Sequence, residues 1–131
     1  MDDAVRHALA TDLTVDITTR GRRSGELRCI EIWLVHVDGR FFITGTPGPR
    51  GWLANLRSEP SLTLHLKQGV HAVLEARATE VTDPELRRHV FSHPAAAWYR
   101  GQVGLDELVA RAPMVEVEFA NRDSSPPTVR A

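Results

Sequence analysis

The residues of this sequence with the clearest chemical potential are the arginines that follow its first predicted strand. Four of them stand with a single acid, Glu26, in the segment Arg20–Arg28, which leaves a local excess of three positive charges. Guanidinium groups match phosphate and carboxylate oxygens in two-point contacts, and neighbouring glycines let backbone N–H groups approach the same anion. No Gly-Lys-Ser/Thr sequence closes the segment, so it is not a Walker loop. The pattern predicts either a phosphate or polycarboxylate site or a solvated basic turn.

A second candidate for ligand binding is the glycine-rich loop Gly45–Gly51, which leads into Trp52 and Asn55. Glycines allow a planar ligand to approach the backbone closely, and the amides at the start of a helix favour an anionic group. Arg50 adds a positive charge at the same place. The competing interpretation is an ordinary connection between a strand and a helix, with Trp52 packed in the core.

The other polar side chains form no recognisable catalytic set, and we predict no metal site. His89 and His93 have the i, i+4 spacing of a ligand pair, but no cysteine or carboxylate pattern completes a site around them. Ser24 and Ser92 have neither a nucleophile elbow nor a paired base. Cys29 falls within a predicted strand and is expected to be a buried, inert thiol. Any reaction of this chain would therefore take its chemistry from a cofactor.

Composition limits the class of protein to which the chain can belong. Its 131 residues suffice for one domain, and 16 basic against 17 acidic residues give a net charge of −1. Such a balance provides no general attraction to nucleic acid or to anionic membranes. The single cysteine excludes a disulfide framework within the chain, and no apolar run approaches the roughly 20 residues of a membrane span. The first residues do not resemble a signal peptide, so we expect a cytoplasmic protein.

Alternating and β-branched patterns predict six strands, joined mostly as hairpins. They cover Leu13–Thr19, Arg28–Val37, Arg40–Thr44, Ser61–Lys67, Val70–Val81 and Met114–Ala120. Short helices are predicted at Asp2–Ala10, after Trp52, at Glu85–His93 and at Leu105–Arg111. The predicted fold class is mainly β (α+β), a six-stranded antiparallel split β-barrel with short peripheral helices. We expect a single domain over residues 1–120 and a disordered tail over residues 121–131.

Five segments of the chain occur in an order and spacing that belong together. They are Thr18–Gly25, Arg28–Trp33, Asp38–Gly39, Gly45–Gly51, and Trp52–Arg57 followed by Pro60. Together they resemble the deazaflavin-dependent nitroreductase family, strongly from Leu13 to Lys67 and more loosely to Ala120. This family consists of split β-barrel oxidoreductases related in fold to pyridoxamine-phosphate oxidases. The resemblance implies a usually dimeric barrel that binds coenzyme F420, or flavin mononucleotide (FMN) in neighbouring branches, in a groove on its wall.

The resemblance also implies roles for individual residues. The phosphate or acidic tail of the cofactor would be held by Arg22, Arg23 and Ser24, and its ring system would lie beside Ile32, Trp33 and Leu34. The ring edge and its polar side chain would be wrapped by Gly45, Thr46, Gly48 and Arg50, and the following helix anchored by Trp52 and Asn55. Tyr99 would orient the substrate or donate a proton to it.

The predicted function is an oxidoreductase that binds F420 or FMN and transfers hydride to a small-molecule acceptor. The acceptor would be electron-poor, such as a quinone, a nitro compound or an enone, and the enzyme would be a homodimer. The alternative is a protein of the same fold that binds flavin, deazaflavin or tetrapyrrole without turnover. A nucleic-acid-binding barrel is disfavoured, because aromatic residues make up only 6% of the chain and none alternates with the arginines.

Overall fold

The computed structural model describes residues 1–120, which form one antiparallel sheet and a set of short helices. The strands are β1 (Thr14–Arg20), β2 (Leu27–Trp33), β3 (Val35–Val37), β4 (Arg40–Thr44), β5 (Ser61–Leu66), β6 (Ala72–Glu80) and β7 (Met114–Phe119). The helices are α1 (Asp3–Thr11), α2 (Gly51–Ser58), α3 (Pro84–Ser92), α4 (Ala97–Gln102) and α5 (Leu105–Arg111), with a 3-10 turn at Pro94–Ala96. The tail predicted over residues 121–131 lies outside the described residues.

The order of the strands shows that the sheet curls back on itself. Neighbouring strands follow the order β2-β1-β5-β6-β7-β4-β3, so the two strands at its ends, β2 and β3, are consecutive in the chain. Only Leu34 separates them, and its N–H donates to the carbonyl of Leu13 at 3.0 Å. At Leu34 the chain therefore passes from pairing with β1 to pairing with β4. This arrangement confirms the predicted antiparallel split barrel with peripheral helices.

The number of strands differs from the prediction. The segment predicted as a single strand, Arg28–Val37, is divided at Leu34 into β2 and β3, which makes seven strands rather than six. Its β-branched and aromatic composition is uniform, so nothing in the local pattern marks the division. The break results from the change of pairing partner, which is a tertiary property.

Two hydrophobic cores lie on opposite sides of the curled sheet. The barrel interior contains alternate residues of each strand, such as Val15, Ile17 and Leu64, all fully buried, together with the apolar face of α2. A second core lies between β3, β4 and β7 and the helices α3, α4 and α5, and it is centred on Phe42 and Phe91. The strand alternation predicted from the sequence thus serves both cores, because inward and outward residues of β4 each meet a packed layer.

The outward side chains of β1, β2 and β6 are less well covered. Leu27 and Val73 are 63% and 62% exposed. Cys29 also lies on this face, opposite Thr18 of β1, and its thiol is exposed. The prediction of a buried thiol was therefore wrong, because Cys29 alternates with the inward-facing positions of β2 rather than sharing their side.

The segment Pro94–Gln102 was not predicted to be helical, yet it forms a turn of 3-10 helix and then α4. No side chain caps the first turn of α4. The helix is instead held from outside, since Arg100 donates from Nη1 to the carbonyls of Phe91 and His93 at 2.6 and 2.9 Å. Tertiary contacts of this kind override weak local propensity, and they fix the position of Trp98 and Tyr99.

Candidate functional site

The arginine-rich segment forms a tight turn between β1 and β2. The Gly21 N–H donates to the Glu26 carbonyl at 2.7 Å, and the Gly25 N–H donates to the Gly21 carbonyl at 2.9 Å. Gly25 has a φ of +74°, a conformation that residues with a Cβ rarely adopt. The Ser24 hydroxyl accepts from the Glu26 N–H at 3.1 Å and keeps its own proton for another acceptor. The turn thus presents Arg22, Arg23 and Ser24 together at its tip.

Asn55, on α2, fixes the position of this turn relative to the rest of the barrel. Its side-chain Oδ1 accepts from the backbone N–H of Arg22 at 3.0 Å, and its Nδ2 donates to the Thr19 hydroxyl at 3.2 Å. Thr19 is itself only 3% exposed, so the amide connects a buried part of β1 to the exposed turn. Asn55 was predicted to anchor α2; in the structure it also anchors the turn.

A groove of about 370 Å³ lies between the turn, the inner face of β2 and the start of α2. It is lined by five of the predicted site residues, Arg22, Arg23, Ser24, Trp52 and Asn55, and also by Thr19, Gly21, Arg28, Ile30 and Gly51. Within residues 1–120 the guanidinium groups of Arg22 and Arg23 make no ion pair or hydrogen bond. The groove therefore offers two uncommitted cations to an anionic ligand.

Replacing Asn55 with alanine is expected to release the turn while leaving the barrel folded. The variant loses two hydrogen bonds at the edge of the groove, each worth about 1 kcal/mol, so an anionic ligand held by the turn should bind roughly ten- to thirtyfold more weakly. Isothermal titration of the variant and of the unaltered protein measures the difference. Gln68→Ala is the matched control, because Gln68 donates to Thr14 at the opposite end of β1. Equal affinity in the Asn55 variant would contradict an anchoring role.

The glycine-rich loop between β4 and α2 is held closed by Arg50. The Nη2 of Arg50 donates to the carbonyl and hydroxyl of Thr46 at 2.9 and 3.1 Å, and its Nη1 donates to the Pro49 carbonyl at 3.2 Å. Gly48 has a φ of +136°, and a Cβ placed there would lie 3.2 Å from Nη1. The guanidinium group thus lies across the backbone of the loop, beside Gly45 and Gly48, and determines its shape.

Tyr99 and Trp33, both predicted at the site, meet in an aromatic cluster where β2 approaches α4. Their ring centroids are 5.8 Å apart, and Trp98 lies 4.9 Å from Trp33 and 5.3 Å from Tyr99. Tyr99 is only 4% exposed, and burial raises its pKa to about 12, an effect that the nearby charge of Arg50 partly opposes. Within residues 1–120 its hydroxyl has no hydrogen-bond partner. The cluster therefore contains a neutral phenol close to the glycine-rich loop.

Ile32 and Leu34 differ from Trp33 in the side of the sheet that they face. Leu34 is 5% exposed and belongs to the barrel core, and Ile32 is half-buried against the same core. Trp33 packs on the other side, with the helical layer. A ligand beside this stretch would meet the indole of Trp33 and the backbone of its neighbours, but not the side chain of Leu34.

The predicted site residues thus form two neighbouring groups rather than one. The arginine turn and the start of α2 form the first, and the aromatic cluster with Arg50 forms the second; β2 and the glycine-rich loop connect them. The sequence did not identify Ile30 or Trp98 as part of these groups, and it included Arg28 in the basic segment without giving it a role of its own. Arg28 had a usable signal in the local charge excess, whereas Trp98 becomes noticeable only once α4 is positioned.

A larger cavity, of about 850 Å³, lies on the other side of the glycine-rich loop. Four arginines line it, but each already has a partner within residues 1–120, which for Arg111 is Glu107 at 3.9 Å. Arg57 makes two hydrogen bonds to Glu80, at 2.8 and 2.5 Å, and Arg88 contacts Asp106 at 3.0 Å. The Arg87 guanidinium donates to four backbone carbonyls. The smaller groove, with its two free arginines, is the better anion site.

Two other kinds of site are absent from the part of the chain that the structure describes. Residues 1–120 contain no group of three or more His, Cys, Asp or Glu side chains placed to hold a metal ion. None of the helices in that range is long and apolar enough to cross a membrane.

Comparison with solved structures shows the same fold in proteins of low sequence identity. An F420-H2 dependent reductase is 23% identical, covers 82% of this chain and 95% of its own, and superposes with a TM-score of 0.59. An FAD-binding protein from Mesorhizobium loti is 13% identical, with 92% and 91% covered and a TM-score of 0.67. A heme storage protein from Vibrio cholerae is 14% identical, with 92% and 91% covered and a TM-score of 0.66. No curated protein sequence matches the chain.

The family model described as F420H(2)-dependent quinone reductase matches residues 4–118, which run from α1 into β7 and leave out only the last residue of that strand. That range contains the arginine turn, the glycine-rich loop and the aromatic cluster. It confirms the resemblance to deazaflavin-dependent reductases that the sequence motifs indicated. The chain therefore belongs to the F420H2-dependent quinone reductase family.

Proposed function

We propose that this protein is an F420H2-dependent oxidoreductase that delivers a hydride to an electron-poor acceptor, with a quinone as the first acceptor to test. The observation that carries the proposal is the groove beside α2, where the guanidinium groups of Arg22 and Arg23 have no partner within residues 1–120. Family membership supports F420 as the cofactor. FMN remains the alternative cofactor, because it too has a phosphate and a planar ring.

The groove fits a ligand that has an anionic end and an extended body. Arg22, Arg23 and the Ser24 hydroxyl would hold the phosphate or acidic tail at the turn, and Trp52 and Asn55 would support it from α2. From Arg28 to Trp33 the strand β2 extends about 17 Å, at about 3.3 Å per residue. β2 is an end strand of the sheet, and a ligand held at the turn and lying along its free edge would bring its ring to Trp33, with Gly45, Thr46, Gly48 and Arg50 of the loop beside it.

The chemistry of the reaction would come from the cofactor, which supplies a hydride when reduced. A quinone that accepts this hydride and one further proton becomes a hydroquinone, so the site must provide or admit that proton. Tyr99 is the phenol closest to the proposed ring position, and its pKa of about 12 keeps it protonated at neutral pH. Its unpartnered hydroxyl would donate a hydrogen bond to the acceptor oxygen as negative charge develops there.

Tyr99→Phe is expected to lower kcat roughly a hundredfold, at the low end of general acid catalysis, while leaving the Kd of the cofactor unchanged.

The pH profile of the rate gives a second readout. The pKa of Tyr99 is raised above the ordinary value of 10.0, so the phenol stays protonated and catalytically competent up to about pH 10 and is lost only as the pH approaches 12. Because the pKa is higher in the folded than in the unfolded protein, the contribution of the buried phenol to stability is fully present below pH 10. It is lost as the pH rises from 10 to about 12. Steady-state rates of both proteins from pH 6 to 10 check this, and an unchanged kcat in the variant would remove Tyr99 from the mechanism.

A homodimer is the proposed assembly. Its support is the poorly covered outer face of β1, β2 and β6, where Leu27 and Val73 are each more than 60% exposed. A second copy packed on this face would remove both side chains from water. Light scattering during size-exclusion chromatography gives the mass in solution, and a single species near 14.6 kDa would contradict the dimer.

A paired titration tests the function and separates it from the alternative of a protein that binds without turnover. Purified protein is titrated with coenzyme F420 and with FMN, and then mixed with reduced cofactor and menadione under anaerobic conditions. The proposal predicts tighter binding of F420 and oxidation of its reduced form that depends on both protein and quinone. Tight binding without oxidation of the cofactor by a quinone, a nitroarene or an enone would favour the non-catalytic alternative. Binding of neither cofactor would overturn both.

A further inference from the structure

We infer that Trp98 is the surface on which the acceptor stacks, and that this residue makes the site prefer planar, electron-poor ring systems over non-aromatic acceptors such as enones. The inference rests on the proposed function, because it concerns the second substrate of the same site. Trp98 is absent from the groove beside α2 and from the residues that the family resemblance implicated. The evidence for a role of Trp98 is the exposure of its side chain and the arrangement of the neighbouring rings.

Trp98 is exposed in a way that its aromatic neighbours are not. Its surface is 51% exposed, whereas Tyr99 is 4% exposed and Trp33 is half-buried. Burying an indole is strongly favourable, so one left half in solvent beside a packed aromatic core is available to a ligand or a partner. The burial of Tyr99 and Trp33 keeps the exposed ring in a fixed place.

The geometry of the cluster leaves room for a parallel ring. The planes of Trp98 and Trp33 meet at 77°, and those of Trp98 and Tyr99 meet at 88°. Both contacts are edge-to-face, so neither neighbour stacks parallel to the indole. A flat acceptor that stacks on the indole would therefore not have to replace a ring already stacked on it.

The chemistry of the indole favours an electron-poor partner. Its π face is electron-rich, and offset stacking is strongest with a ring whose own density has been withdrawn by carbonyl or nitro groups. The ring of a quinone has lost electron density to its two carbonyl groups, whereas an isolated alkene has no such ring to stack. An acceptor stacked on Trp98 would also lie next to Tyr99, whose ring centroid is 5.3 Å away, and so beside the phenol proposed to assist its reduction.

The test compares Trp98→Ala and Trp98→Phe with Arg88→Ala, which shortens a side chain that is likewise 51% exposed but lies outside the aromatic cluster. With F420H2 saturating, Trp98→Ala should raise the KM for menadione about tenfold and Trp98→Phe about threefold. The KM for 2-cyclohexen-1-one, a non-aromatic enone, and the Kd for F420 should not change in either variant. The Arg88 variant should match the unaltered protein in all three quantities.

A second measurement does not require turnover. Menadione titrated into the protein without cofactor should quench tryptophan fluorescence with saturation, and Trp98→Phe should lose the saturable part.

Loss of this quenching together with the raised KM supports the inference. A menadione KM within twofold of the unaltered value, with F420 still bound, would overturn it and leave the proposed function standing. A shift of Trp98→Ala from dimer to monomer without a KM change would make Trp98 a contact between copies, and would also overturn it. Failure of F420 to bind the unaltered protein would instead count against the proposed function, and the quenching experiment would still decide the role of Trp98.

Discussion

Replacing Arg22 and Arg23 together with alanine is expected to weaken F420 binding on the order of a hundredfold and to leave the fold intact. Each guanidinium would make a charge-assisted hydrogen bond to the anionic end of the cofactor, worth about 1.5–3 kcal/mol, and the pair act on the same group. Neither side chain contributes a hydrogen bond to the protein within residues 1–120, so their removal costs little stability. Fluorescence titration of the cofactor gives the Kd, and circular dichroism checks the fold.

The matched control is the double variant Arg88→Ala/Arg111→Ala, which removes the same charge from the larger cavity on the other side of the glycine-rich loop. If the effect comes from the net charge of the protein, both double variants lose affinity equally, and the loss disappears with added salt. If it comes from contacts in the groove, only the Arg22/Arg23 variant loses affinity. Unchanged binding in that variant would refute the assigned role of the turn.

The largest loss of stability is expected from Arg87→Met. Arg87 is 8% exposed, and its guanidinium donates to the carbonyls of Val81, Leu108, Val109 and Ala112 at 3.0, 3.2, 2.6 and 2.5 Å. These contacts join α3 to the end of α5 and to the residue after β6. Methionine fills part of the volume but leaves the buried carbonyls without donors, at about 1–3 kcal/mol for each one that water does not reach. We expect the free energy of unfolding to fall by roughly 3 kcal/mol or more.

Urea unfolding followed by circular dichroism measures this loss, and Arg88→Met is the control. Arg88 is the next residue on α3, but its guanidinium contacts Asp106 on the surface, so its removal should change stability by about 0.5 kcal/mol or less. Arg87→Lys should lie between the two, because an ammonium group keeps the charge but cannot reach all four carbonyls. An Arg87→Met midpoint equal to that of Arg88→Met would show that the buried guanidinium is not needed for stability.

Local patterns were enough to predict the barrel. The alternation in Ser61–Lys67 and the Asp38–Gly39 turn each depend on a few neighbouring residues, and β4 and α5 have the predicted bounds. The break at Leu34 and the exposure of Cys29 were not predictable in this way. Both depend on which strand or layer comes to lie alongside, and that is decided by residues far away in the sequence.

The candidate site likewise has a part that local sequence predicts and a part that depends on residues far apart in the chain. The arginine turn was predictable because charge and glycine spacing are local properties, and its residues do line one groove. The tie from Asn55 to the turn joins residues 33 positions apart, and no pattern along the chain indicates it. Arg87 would be expected on the surface as a charged residue, and only the converging carbonyls of α5 and Val81 make its burial possible.

Because the two cores lie on opposite sides of the sheet, substitutions in one of them leave the packing of the other unchanged. The barrel core includes Trp52 and Leu56 of α2 and so supports the groove, whereas the helical-layer core includes Tyr99 and Phe91 and so supports the aromatic cluster. Substitutions that share no packing partners usually have additive effects. A lineage, or a directed-evolution library, could therefore vary the helical layer and its aromatic cluster while the packing that supports the groove stays unchanged.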